Sequence, residues 1–163
     1  PPAPVIQNRD SRDPRLDAVF SALGVKIVEK DGGAYYSPAT DTITMPRFES
    51  FTSGNAYFAT LAHEASHAVG SIGRLNRETL QKYGTSTAMV AKEEMVAEIS
   101  ASFVCAALGM EPTEREDHAA YLASWLTVLR GEKRAIFQAA TAAQAASDFI
   151  LAAAEATLGQ QAA

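Results

Sequence analysis

The stretch from Thr60 to His67, TLAHEASH, constrains this chain more than any other, because it carries two histidines four residues apart with a glutamate directly after the first. On a helix, positions i and i+4 lie on one face, so His63 and His67 can both present an imidazole nitrogen to a single metal ion. Glu64 sits one residue round the helix. From there it can reach a water beside the ion without taking up a coordination site, as the general base of a zinc hydrolase does. The flanks have helical spacing: Tyr57, Phe58, Leu61, Ala65, Ala68 and Val69 form a run that Ser53 or Asn55 can cap and Gly70 or Gly73 can end.

Two imidazoles do not complete a catalytic zinc site, which commonly has three protein ligands and one open position. The only other histidine, His118, lies in an acidic stretch that opens a later helix. The richer candidate is KEEMVAE, residues 92–98. There Glu94 and Glu98 are four apart and share a face with Val90, Ala97 and Ala101. Two carboxylates on an apolar, inward face are costly unless a cation or donor compensates them. A metal held by His63 and His67 is that compensation. Glu94 is assigned as third ligand and Glu98 as acceptor for a ligand histidine N–H, although the same geometry allows the two roles to be exchanged. Glu93 points about 100° away from Glu94 and is expected on a solvated face.

At 163 residues the chain suits one domain with a substantial core. Its net charge of −5 supplies no basic field for a phosphate backbone, which disfavours nucleic-acid binding by this segment. The single cysteine, Cys105, sits among apolar residues as a small buried hydrophobe, and one cysteine builds no disulfide framework. No secretory signal pattern is present, and no apolar run reaches the ~18 residues of a membrane span. The Pro1-Pro2-Ala3-Pro4 start reads as the end of a linker over residues 1–12, ahead of a domain over residues 13–160.

Taken in order, the chain starts with a short helix capped by Asp13 and stopped at Gly24. Strands follow at Val25–Glu29, Ala34–Ser37 and Thr42–Met45, the first two separated by the Asp31-Gly32-Gly33 turn. Beyond Pro46 the period becomes helical. The histidine-bearing helix leads through a short helical turn to long helices over about 87–108, 112–131 and 132–158. In the 112–131 helix Tyr121, Leu122, Trp125, Leu126 and Leu129 form the inner face. The class is α+β, a small three-stranded, mostly antiparallel sheet on a bundle of about five helices. Ala139, Ala142, Ala143 and Ala146 permit close helix packing, either within the domain or between copies.

Glu-x-x-Ala-Glu, residues 94–98, is similar to the Glu-x-x-Ala-Asp of HExxH peptidases with a glutamate third ligand, in which the first acid binds metal and the second supports a histidine. Together with residues 36–38 (YSP), residues 41–46 (DTITMP), Phe51, Tyr57, residues 60–64 (TLAHE), His67, Gly70, Arg74-Leu75, Arg77, Gly84, residues 93–98 and residues 120–126, it resembles the zincin-like metallopeptidase domain of ArdC-type antirestriction proteins and of related plasmid TraC-type and polyvalent proteins. The resemblance covers roughly residues 16–155. It implies a minimal zincin-like fold, Zn2+ as cofactor, carriage on mobile elements, and action in the cytoplasm of a recipient bacterium on a protein or peptide substrate. The resemblance also implies an N-terminal single-strand DNA-binding domain in relatives, one expected to be absent from this chain. Ala65 and Ala68 depart from the larger apolar residues often found there in relatives, which concerns packing rather than ligation.

The mechanism that follows is peptide-bond hydrolysis with His63, His67 and Glu94 as zinc ligands and Glu64 as general base. The strand Thr42–Met45 is expected at a sheet edge, where it can align an extended substrate. Tyr36, Tyr57 and Arg74 are candidate substrate or oxyanion contacts. An alternative from another class is a catalytically silent, zinc-stabilised module that blocks a restriction or DNA-processing partner. The intact Glu64 speaks for catalysis, since a structural site needs no base.

Overall fold

Residues 8, 10–111 and 118–161 are described by a computed structural model of the chain. The class is α+β, as expected. Helix α1 (Pro14–Ser21) starts on Asp13, whose carboxylate accepts from the backbone N–H groups of Arg15 and Leu16, and ends ahead of Gly24 at φ +66°. Strands β1 (Lys26–Glu29), β2 (Tyr35–Ser37) and β3 (Thr42–Met45) follow, then one 3-10 turn at Phe48–Ser50 and helices α2 (Gly54–Ala68) and α3 (Glu78–Gln81). Helices α4 (Thr87–Ala107), α5 (His118–Gly131) and α6 (Ala135–Gln161) complete the order. The expected start of α5 at Pro112 lies outside the described residues.

The sheet corrects one expectation. Its order is β1-β3-β2, with β2 antiparallel and β1 parallel to β3, so it is mixed rather than mostly antiparallel. Apolarity chooses the central strand: Ile43 and Met45 of β3 are fully buried, whereas β1 and β2 contain no buried residue. The Asp31-Gly32-Gly33 turn therefore closes no hairpin. It carries the chain from β1 past β3 to the far side of the sheet, and the true hairpin is β2–β3, where Asp41 takes a left-handed conformation at φ +45°. Consequently β3 has no free edge, and β1 and β2 are the two outer strands.

The core joins the sheet to α1, α2, α4 and α6. Phe48, Tyr57 and Phe58 pack edge to face at centroid distances of 5.1 to 6.3 Å, and each large buried ring contributes on the order of 2 kcal/mol or more through burial alone. Helices α2 and α4 approach closely because their contact is built of small residues. Ala62, Ala65, Ala97 and Ala101 are buried, and the hydroxyls of Ser66 and Ser100 meet at 2.9 Å. This crossing brings His63 and His67 face to face with the acids of α4.

The α4–α6 contact uses the alanines of α6: Ala139, Ala143 and Ala146 are buried, with Met95 and Val96 packed against Ala139 and Ala143. The alanine stripe thus serves packing within the domain. Trp125 and Leu129 of α5 join the same cluster, but Leu126 is 51% exposed and lies off the inner face. Asn8 and Asp10, in the stretch read as the end of a linker, hydrogen-bond to the domain, Asn8 N–H to Glu49 O and Asp10 Oδ2 from Gly54 N–H. Among the described residues no helix is long and apolar enough to cross a membrane.

Candidate metal centre

Helix α2 carries His63, Glu64 and His67 because Ser53 caps its start, its hydroxyl accepting from Ala56 N–H, and because Tyr57, Phe58 and Leu61 bind its first turns to the core. All three site residues are buried yet line one pocket of about 280 Å³, together with Glu94, Leu80, Tyr83 and residues 34–36 and 38 at β2. The Nε2 atoms of His63 and His67 face each other at 3.2 Å. Glu94 closes the triangle, its Oε2 3.3 Å from His63 Nε2 and its Oε1 3.6 Å from His67 Nε2.

The outer nitrogens fix the tautomers. His63 Nδ1 is 3.0 Å from Glu98 Oε2 and His67 Nδ1 is 2.9 Å from Glu93 Oε1. A carboxylate accepts only, so both Nδ1 atoms carry the proton and, in neutral rings, both Nε2 lone pairs point into the same small space. That arrangement is repulsive unless a proton or a metal ion fills it. Ligands about 2.0–2.1 Å from a tetrahedral ion stand about 3.3 Å apart, close to the separations found here. His63, His67 and Glu94 are thus able to hold one ion, with ligand atoms all within 4.8 Å of one another. The field agrees in sign: burial alone would lower the His67 imidazole, but Glu93 and Glu94 raise it to about 10, so the centre attracts positive charge.

Glu98 thus stands beside His63, whereas Glu93, for which a solvated face was predicted, is buried beside His67. The Glu93 side chain is 0% exposed, because residues 93–97 are buried on every side where α4 is wrapped by α2, α3, α5 and α6. Burial would push the Glu93 carboxyl up, yet hydrogen bonds from Arg77 and His67 hold it at about 2. Arg77 donates through Nε at 2.8 Å and Nη2 at 2.6 Å, and Thr79 adds its hydroxyl. A sequence signal for this existed in Val96 and Ala97, which place apolar neighbours three and four residues after Glu93.

Of the other candidates, Tyr36 lines the pocket, and its hydroxyl donates to Asp41 at 2.8 Å. Arg74 lies outside the metal pocket, held bidentately by Asp41 at 2.9 and 2.8 Å in a neighbouring hollow. Its guanidinium therefore ties the β2–β3 turn to the end of α2. Tyr57 is fully buried away from the pocket, where its hydroxyl bonds to Glu29 and Arg12 because the aromatic cluster holds the ring in the core. Sequence reasoning missed Tyr83, whose hydroxyl donates to Glu94 Oε1 at 2.7 Å. Among the described residues no side chain hydrogen-bonds to the Glu64 carboxylate, which leaves it available to the pocket.

The sequence model of a protein family described as zincin-like metallopeptidase matches residues 14–142. The chain is 40% identical over 150 residues to the protein y4eC of Sinorhizobium fredii, covering 92% of this chain and 48% of that one. It is 37% identical over 139 residues to the DNA primase TraC of Escherichia coli, covering 85% of this chain but 9% of the primase. Two crystal structures of the antirestriction protein ArdC from plasmid R388 are similar in fold. The metal-free form matches with a TM-score of 0.79 at 42% identity, over 90% of this chain and 54% of ArdC. The Mn(II)-bound form gives 0.80 at 43%, over 88% and 53%. The chain spans about half the length of y4eC and of ArdC.

Proposed function

This chain belongs to the zincin-like metallopeptidase family, and from that premise we propose that it is a metal-dependent peptidase domain whose ion, zinc in our reading, is held by His63, His67 and Glu94. The observation that carries the reading is the pair of Nε2 atoms 3.2 Å apart, each imidazole backed by a carboxylate, with Glu94 completing the set. Two imidazoles and one carboxylate are a donor set of catalytic zinc, and one position stays open. When bound, a divalent cation supplies Lewis acidity toward a peptide carbonyl and toward water.

The residues of the chain divide the remaining work. Glu64, on the pocket wall beside His63, takes the proton of the attacking water and passes it to the leaving nitrogen. Glu98 and Glu93 keep the two Nδ1 atoms protonated and the Nε2 lone pairs aimed inward. Strand β2 borders the pocket at Tyr35 and Tyr36, with Pro38 directly after it, and it is one of the two outer strands of the sheet. An extended peptide laid along β2 gains backbone hydrogen bonds and is carried across the site, a role β3 is unable to play. By likeness to ArdC, the setting we propose is antirestriction by a mobile element, on a protein or peptide inside the recipient bacterium.

Metal analysis and cleavage of a bacterial proteome by the wild type and by Glu64→Gln test this reading. The expected result is about one zinc per chain and cleavage that Glu64→Gln lowers by at least a hundredfold, within the range of general-base removal. Absence of bound metal overturns the reading, and cleavage indifferent to Glu64→Gln overturns the base. Protection of incoming DNA that survives Glu64→Gln would instead identify a module acting by binding.

A further inference from the structure

The geometry points to Tyr83 as a positioning residue for the metal site, one that orients the Glu94 carboxylate and selects which of its oxygens is offered to the ion. The inference rests on the reading of His63, His67 and Glu94 as a cation site and does not depend on peptide hydrolysis. Tyr83 stands between α3 and α4. Its backbone N–H bonds to Leu80 O at 3.0 Å, Thr85 N–H bonds to Lys82 O at 3.1 Å, and Gly84 follows at φ +80°. That tight turn needs a residue tolerant of a left-handed backbone directly after Tyr83, and glycine provides it. It returns the tyrosine ring to the pocket wall beside Leu80, which is buried and anchors α3.

Once there, the side chain touches two of the three residues proposed to hold the ion. Its hydroxyl donates to Glu94 Oε1 at 2.7 Å, and its ring meets His67 nearly edge to face at 6.2 Å and 74°. The two oxygens of Glu94 are consequently unequal. Oε2 is the nearer to an imidazole, 3.3 Å from His63 Nε2, while Oε1 is 3.6 Å from His67 Nε2 and already accepts the phenol proton. A hydrogen bond to a charged carboxylate is strong, so it competes with any cation for Oε1 and fixes the rotation of the carboxylate. A carboxylate left unrestrained can bind an ion through one oxygen or both. Holding Oε1 back favours donation through Oε2 alone and keeps open the position that a catalytic site needs. At 44% exposure, Tyr83 is at the mouth of the pocket, where a phenylalanine ring would pack as well and only the hydroxyl distinguishes tyrosine.

The test is Tyr83→Phe in the whole chain, loaded with cobalt(II). Two quantities are read: metal affinity by competition with a chromophoric chelator, and the visible absorption of cobalt, which reports coordination number. Removing a partner that orients a ligand typically weakens metal binding 10–100-fold, so an affinity loss of about tenfold is expected, with a changed cobalt spectrum and an unchanged melting temperature for the metal-free protein. Equal affinity and an identical spectrum overturn the proposal. So does a lower metal-free melting temperature with an unaltered spectrum, which is the mark of a packing role. If the wild type takes up no cobalt, the cation-site reading falls together with this one. If the wild type takes it up and Tyr83→Phe behaves identically, only the role of Tyr83 falls.

Discussion

Glu93 shows how much a single side chain can carry here. It is fully buried and charged, and it accepts from Arg77, Thr79 and His67 at once, so one carboxylate links α3 and α4 to the imidazole at the centre. The cost of burying such a pair is offset only while both partners are present. Glu93→Ala would leave the Arg77 guanidinium buried without its counter-charge, and we expect a loss of about 3–5 kcal/mol in urea unfolding. The double variant Arg77→Leu, Glu93→Leu should lose clearly less than the sum of the two single truncations. Additive losses would show that the pair is not coupled. Gly70 lies against the same guanidinium: an added Cβ would come 2.6 Å from Arg77 Nη2, so a glycine is required there for close approach rather than for its backbone freedom.

At the scale of elements, Glu29 joins two of them to the segment that precedes α1. Standing at the end of β1, it accepts from Arg12 Nη1 on the segment before α1 and from Tyr57 of α2 at 2.8 Å. Burial would raise its carboxyl, but the guanidinium and the phenol outweigh it and hold the group below the usual carboxylate range. A carboxyl whose folded pKa is depressed stabilises the fold fully above its unfolded value near 4.5 and loses that contribution as pH falls through the folded value. Glu29→Gln should therefore lower the melting temperature at pH 7 and flatten its fall below about pH 4.5. An unchanged acid limb would remove Glu29 from the account. The same bond explains why Tyr57 is a poor candidate for substrate contact: on α2 it is six residues before His63, which turns it toward β1 instead of the pocket.

For the molecule as a whole, the question is whether the proposed metal holds the fold together. The main core, from Phe20 and Val19 through Ile43, Phe58 and Leu61 to Ile150, is apolar and independent of the centre. Chelation should therefore leave a cooperatively folded, helical protein with a lower melting temperature, since a ligand at a hundredfold excess over its Kd adds about 2.7 kcal/mol. Loss of helical circular dichroism on chelation would contradict this. Much of the molecule was legible in the sequence because it is local. Helical period and caps at Asp13, Ser53 and Gly109 located α1, α2 and α4, and the four-residue spacings of His63 to His67 and of Glu94 to Glu98 put each pair on one helical face. The rest depends on contacts between segments distant in the chain. That β3 rather than β2 lies at the centre of the sheet, that Glu93 turns inward to Arg77, and that Tyr83 reaches Glu94 while Tyr57 points away were decided by which surfaces pack together. Spacing along a chain specifies the face of a helix, whereas only the packed structure specifies what that face meets.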